Sequence, residues 1–154
     1  MIHIIRTNAE NRDFIELVRC LDAALARQDG DEHAFYDQFN KIDSLRLVIL
    51  AYEDKQPVGC GAIKEFGPDT MEIKRMYVRP ENRGKGIASM ILEALEQWTA
   101  ELGKVKCVLE TGTRQGDAVR LYTRRGYRRI PNYGQYEGIG NSLCFEKIIT
   151  VSNS

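Results

Sequence analysis

Apolar residues change period several times along the chain. Residues 2–6 read as a strand, whereas Phe14, Leu17, Val18, Leu21 and Leu25 recur every three to four positions, the spacing of one helix face. A helix is expected over residues 8–27 with Asn8 as its cap, since a side-chain carbonyl there can accept from the first free N–H groups. After the break at Asp29-Gly30 a short second helix is expected over about 31–39. Strands follow at 45–53, 58–65 and 70–79, joined by turns at 54–57 and at Gly67-Pro68-Asp69 that are short enough for antiparallel hairpins.

Beyond Pro80 the helical period returns. Ile87, Ile91, Leu92, Leu95, Trp98 and Leu102 mark one face of a helix that Gly103 ends. A strand at 106–110, a helix at 117–125 stopped by Gly126, and strands at 127–130 and 143–149 complete the order, with a polar, aromatic loop at 131–142. Strands dominate the first half and elements alternate in the second. The expected fold is α/β (α+β): a mixed, mostly antiparallel sheet with helices on its faces, in which the strand-helix-strand run at 70–110 needs a right-handed parallel crossover.

Composition narrows the function classes. A chain of 154 residues suits one domain, expected over 1–149 with a short tail at 150–154. Twenty-two basic and 22 acidic residues balance, so no general affinity for nucleic acid is expected. The N-terminus lacks the length and cleavage site of a signal peptide and no run approaches a membrane span, which points to the cytoplasm and away from membranes. Cys20, Cys60, Cys107 and Cys144 are widely separated inside apolar patterns and read as reduced core residues. With His3 and His33 as the only histidines, neither a His-based zinc site nor a Ser-His-Asp triad is expected, and no metal is assigned.

The sharpest local signal is Arg83-Gly84-Lys85-Gly86-Ile87-Ala88, which follows a strand and opens a helix. Backbone N–H groups there are free donors at the positive end of a helix dipole, a geometry that suits a diphosphate. The same pattern also fits a solvated helix start with two flexible glycines. Walker A fails, because Arg79 stands where its first glycine belongs and Gly86 follows the Gly-Lys pair. The dinucleotide fingerprint is one position short and is preceded by a strand carrying Glu72, Lys74 and Arg75.

Met76-Tyr77-Val78-Arg79-Pro80 followed by Arg83 to Ala88 resembles the acetyl-CoA motif of the GNAT superfamily of N-acyltransferases, in which Arg83, Gly86 and Ala88 meet the core pattern. Leu121-Tyr122 and Gly126-Tyr127, with Ala118, resemble a second signature of that family. The likeness covers residues 45–149 well. It implies a central sheet of about seven strands with a splayed parallel pair, 70–79 and 106–111, and acetyl-CoA (CoA) as cofactor. It also implies cofactor contacts at Met76, Tyr77, Val78, Arg83, Gly84, Lys85, Gly86, Ile87, Ala88, Gln115 and Tyr122. Gln115 is a departure, for many members carry asparagine there; its amide makes similar hydrogen bonds over a longer reach.

The implied activity is N-acetyltransferase: direct attack of a primary amine, on a small molecule or peptide, upon the thioester in a ternary complex. A CoA-binding partner module without turnover is the alternative class, and a homodimer is compatible with either. Tyr122 matches the family's proton donor to the departing thiolate, or else packs as a structural tyrosine. Glu72, on the strand leading to the turn, is the catalytic base candidate; an ion pair with a neighbouring strand, or no essential base, explains it equally. Tyr36, Asn40, Tyr133 and Tyr136 lie in polar aromatic segments expected to flank the acceptor. Arg124, Arg125, Arg128 and Arg129 form a basic cluster, read as a solvated face from which one or two residues could reach the CoA 3'-phosphate.

Overall fold

In a computed structural model, residues 1–29 and 45–149 are described. The expected helix at 31–39 and the acceptor candidates Tyr36 and Asn40 lie outside them. The elements are β1 (Ile2–Thr7), α1 (Arg12–Asp29), β2 (Leu47–Glu53), β3 (Gln56–Gly67), β4 (Thr70–Val78), a 3-10 turn at Pro80–Asn82, α2 (Ile87–Glu101), β5 (Lys106–Gly112), α3 (Gly116–Arg124), β6 (Arg128–Ile130), a 3-10 turn at Gly134–Tyr136 and β7 (Ser142–Ile148).

The strands form one seven-stranded sheet in the order β1-β2-β3-β4-β5-β7-β6, mostly antiparallel, with β4 and β5 as the parallel pair. That parallel pairing runs over four positions, Thr70 to Ile73 against Lys106 to Leu109. Two residues further along β4, Arg75 adopts a φ of +60°, a kink that non-glycine residues rarely accept.

Internal contacts group the chain into two compact units, residues 1–64 with 74–95, and residues 65–73 with 96–154. In the first, the α1 face predicted from its period packs as expected: Phe14, Leu17 and Val18 are buried with Val48, Leu50, Cys60, Ala62 and Tyr77. The first turns of α2 close on β3 at Gly61, where a Cβ would stand 2.9 Å from Ile91 Cγ2 and from Leu95 Cδ1. Only glycine admits that approach. In the second unit, Cys107, Val108 and Leu109 of β5 are buried together with Cys144 and Phe145 of β7.

Three local expectations need correction. Helix α1 starts four residues later than predicted, capped by Asn11, whose Oδ1 accepts the N–H groups of Asp13 (2.9 Å) and Phe14 (3.2 Å). The β2–β3 turn has two residues, Asp54 and Lys55, both with positive φ (50° and 69°), so Pro57 belongs to β3. Such a turn matches the twist of the flanking strands. Leu102, assigned to the α2 face, is 44% exposed, and Thr99 takes the buried place, its hydroxyl accepting from the Cys107 thiol at 3.4 Å. No helix among the described residues is long and apolar enough to cross a membrane.

Candidate active site

Within the first unit, β4 delivers the chain to the glycine turn. The Arg79 N–H donates to Val58 O at 2.9 Å, and Pro80 then opens the 3-10 turn, where its fixed φ and missing N–H cost nothing. Gly84 and Gly86 follow with φ of +81° and +80°. A Cβ on either would meet no protein atom within 4 Å, so conformation rather than crowding demands glycine here, and the space over the turn is open. Helix α2 starts at the next residue, with Ile87 and Ile91 buried as anchors. Its first-turn N–H groups have no intrahelical acceptors, which leaves a cradle that fits a diphosphate.

The side chains around the turn have partners of their own. Arg83 Nε donates to Val78 O at 2.9 Å, with its guanidinium 5.8 Å from the Tyr77 ring, so Arg83 ties the turn back to β4. Lys85 pairs with Glu53 at 3.1 Å. Tyr77 and Val78 are buried, while Met76 is half-buried against Gly61. Ala88 is half-buried on α2.

Within the second unit, Glu72 of β4 is 7% exposed, and its Oε2 accepts the Tyr133 hydroxyl at 2.7 Å. The Tyr133 ring meets Phe66 edge-on at 4.8 Å and Tyr136 at 5.7 Å. Three of the predicted residues thus come together here, Glu72, Tyr133 and Tyr136. Burial, and then the charge of Glu72, push the Tyr133 hydroxyl well above the usual phenol range. Burial, and then the Glu110 carboxylate, do the same to Tyr136 and to Tyr122. Tyr122 is buried on α3, its ring 5.7 Å from Tyr127 and 6.3 Å from Phe145.

Gln115 precedes α3; its carbonyl accepts the Val119 N–H at 3.0 Å, and its amide side chain makes no capping bond. Two members of the basic cluster are engaged locally: Arg128 reaches Glu146 at 2.6 Å and Arg129 lies over the Phe145 ring. Sequence reasoning missed Glu110, which accepts the Ser142 hydroxyl at 2.7 Å, and Phe66. A carboxylate directly after the apolar run Cys107-Val108-Leu109 was the available signal for Glu110.

The family model described as acetyltransferase (GNAT) family matches residues 12–127, three quarters of the chain. This chain belongs to the GNAT family. A curated IAA acetyltransferase of Azospirillum brasilense is 37% identical over 100 residues, covering 64% of this GNAT chain and 65% of that protein. The chain spans about half to two thirds of the length of several curated relatives that it matches. Among solved structures, one from Klebsiella pneumoniae assigned to the acyl-CoA N-acyltransferases superposes with a TM-score of 0.83 at 27% identity, covering 97% of this chain and 99% of that one. The PaiA N-acetyltransferase of Thermoplasma acidophilum, crystallised with coenzyme A, has the same fold at 18% identity, with a TM-score of 0.70 over 96% and 99% of the two chains. The segment matched by the GNAT model holds Glu72, the glycine turn, Gln115 and Tyr122, and it ends before Tyr133.

Proposed function

We propose that this chain is an N-acetyltransferase that moves an acetyl group from acetyl-CoA to a primary amine of a small molecule or peptide, by direct attack in a ternary complex. The observation that carries the reading is the left-handed glycine pair at the start of α2, with open space above it, where a helix's first N–H groups have no intrahelical acceptor. A family neighbour crystallised with coenzyme A supports the cofactor.

Acetyl-CoA supplies the activated thioester; the chain's own residues do the rest. The backbone of residues 83–88 holds the pyrophosphate, and the β4 backbone near Met76 and Val78 aligns the pantetheine arm, so that much of the acceleration comes from orientation. Glu72 takes the proton that the amine nitrogen gives up as its bond to the acyl carbon forms. Tyr122 donates a hydrogen bond to the sulfur as the carbon–sulfur bond breaks. Because burial holds its phenol neutral, Tyr122 stabilises the departing charge as a donor and does not give the proton away at equilibrium. Glu72 and Tyr133 then flank the acceptor nitrogen, with Tyr136 packed behind them. The reading takes residues 1–149 as one catalytic domain acting in the cytoplasm.

The test is thiol release from acetyl-CoA by the purified protein across a panel of primary amines, beside calorimetric titration with acetyl-CoA. Release with at least one amine is expected. Binding without release for every amine would overturn the enzyme reading and leave a CoA-binding module, and no binding would remove the cofactor as well.

A further inference from the structure

We infer that Tyr133 is a positioning residue for Glu72: its hydroxyl, presented by the loop between β6 and β7, fixes the carboxylate in the orientation that receives the acceptor's proton. The inference rests on the reading of Glu72 as the base, and it gives the loop a role in the chemistry that is distinct from contact with the acceptor.

The loop is built to hold that hydroxyl. Asn132 Nδ2 donates to Ile139 O at 3.0 Å and to Ser142 O at 3.1 Å, which closes the loop across its neck. Inside it, the Tyr136 N–H donates to Tyr133 O at 2.9 Å and the Ile139 N–H to Tyr136 O at 3.0 Å. The Tyr133 ring is gripped by Phe66 at an interplanar angle of 66° and by Tyr136 at 88°. Both are edge-on contacts of the kind that favour one ring placement. A ring held in this way leaves its hydroxyl little freedom, and the 2.7 Å contact with Glu72 Oε2 has the short length of a charge-assisted bond.

A glutamate side chain has three rotatable torsions, and ordering it costs entropy that a fixed donor has already met. The donor is dependable, because burial beside Glu72 keeps the Tyr133 phenol protonated through the neutral range. Tyr133 lies beyond residues 12–127, the segment that the family model matches.

The experiment compares the parent, Tyr133→Phe, Glu72→Gln and the double variant in thiol release from acetyl-CoA, with benzylamine, spermidine and lysine amide as acceptors. Tyr133→Phe keeps the ring between Phe66 and Tyr136, and melting curves check that it folds. It is expected to lower kcat about tenfold and to leave the acetyl-CoA KM within about twofold. Added to Glu72→Gln, it should cost nothing further. Losses that multiply in the double variant, or a loss confined to the acceptor KM, would overturn the positioning role while leaving Glu72 as the base. Glu72→Gln at full rate would remove the base and the positioning role together. A proton NMR arm needs no acceptor: the Tyr133 hydroxyl signal, identified by its loss in Tyr133→Phe, should move upfield in Glu72→Gln, and an unmoved signal overturns the inference.

Discussion

At Gly86 the φ of +80° lies where a β-branched side chain is strained by roughly 1–3 kcal/mol, and a valine there would also fill the open space over the turn. Gly86→Val should therefore weaken acetyl-CoA binding by more than tenfold, about 1.4 kcal/mol or more. Arg83→Ala should weaken it less, although the lost bond to Val78 O will loosen the turn. Calorimetric titration ranks the two, and a Gly86→Val protein that binds as tightly as the parent would displace the pyrophosphate from this turn. For Tyr122 the expected effect falls on rate. Tyr122→Phe keeps the contacts with Tyr127 and Phe145 and removes only the hydroxyl, so kcat should drop on the order of 100-fold with acetyl-CoA affinity unchanged. Single-turnover measurements at full rate would return Tyr122 to a packing role. The glycines were legible in the sequence because a positive φ is a local demand. The hydroxyl bond between Tyr133 and Glu72 was not, since nothing near either residue names the other.

At the scale of elements, the start of α1 shows how two residues with the same capping chemistry compete. Asn8 closes a short turn instead, its Oδ1 accepting the Glu10 N–H at 2.9 Å and its carbonyl accepting the Asn11 N–H at 3.2 Å. Asn11 then caps the helix. The bond from the Ala9 N–H to Leu45 O pins the chain where it leaves β1, and that tertiary contact was invisible to a propensity argument. Asn11→Ala should lower stability by about 1 kcal/mol, and Asn8→Ala by less, in paired urea titrations. Equal losses would show that the cap is shared. The same helix carries Asp22, which pairs with Arg75 at 2.9 Å under a guanidinium-bearing side chain that is only 4% exposed. Asp22→Ala strands that cation. It should cost about 3 kcal/mol, the low end for breaking a buried pair because Asp22 itself keeps 32% of its side chain in solvent.

For the whole molecule, the four cysteines report on folding. Cys60 is buried in the first unit and Cys107 and Cys144 in the second, while Cys20 is partly exposed. Burial pushes the Cys60 thiol from the ordinary 9.0 up to about 12 and, as its largest cause, Cys107 up to about 11. The native protein should therefore show one fast thiol to a disulfide reagent and four after denaturation. Because β3, β4 and α2 each run from one unit into the other, the three slow thiols are expected to appear in a single step along a denaturant series. Stepwise appearance would separate the units. The sign of the pH effect follows from the raised values: the folded state keeps protons that the unfolded chain releases above about pH 9, so the melting temperature should fall from pH 9 towards 12. Residue order by itself determined the strands, the helix faces except at Leu102, and the glycine turn, because these follow from periods and dihedral demands that act over a few residues. Tertiary structure alone decided which carboxylate meets which hydroxyl. Glu72 and Tyr133 lie 61 positions apart, and only the placing of the β6–β7 loop, through packing and hydrogen bonds distant in sequence, brings them together.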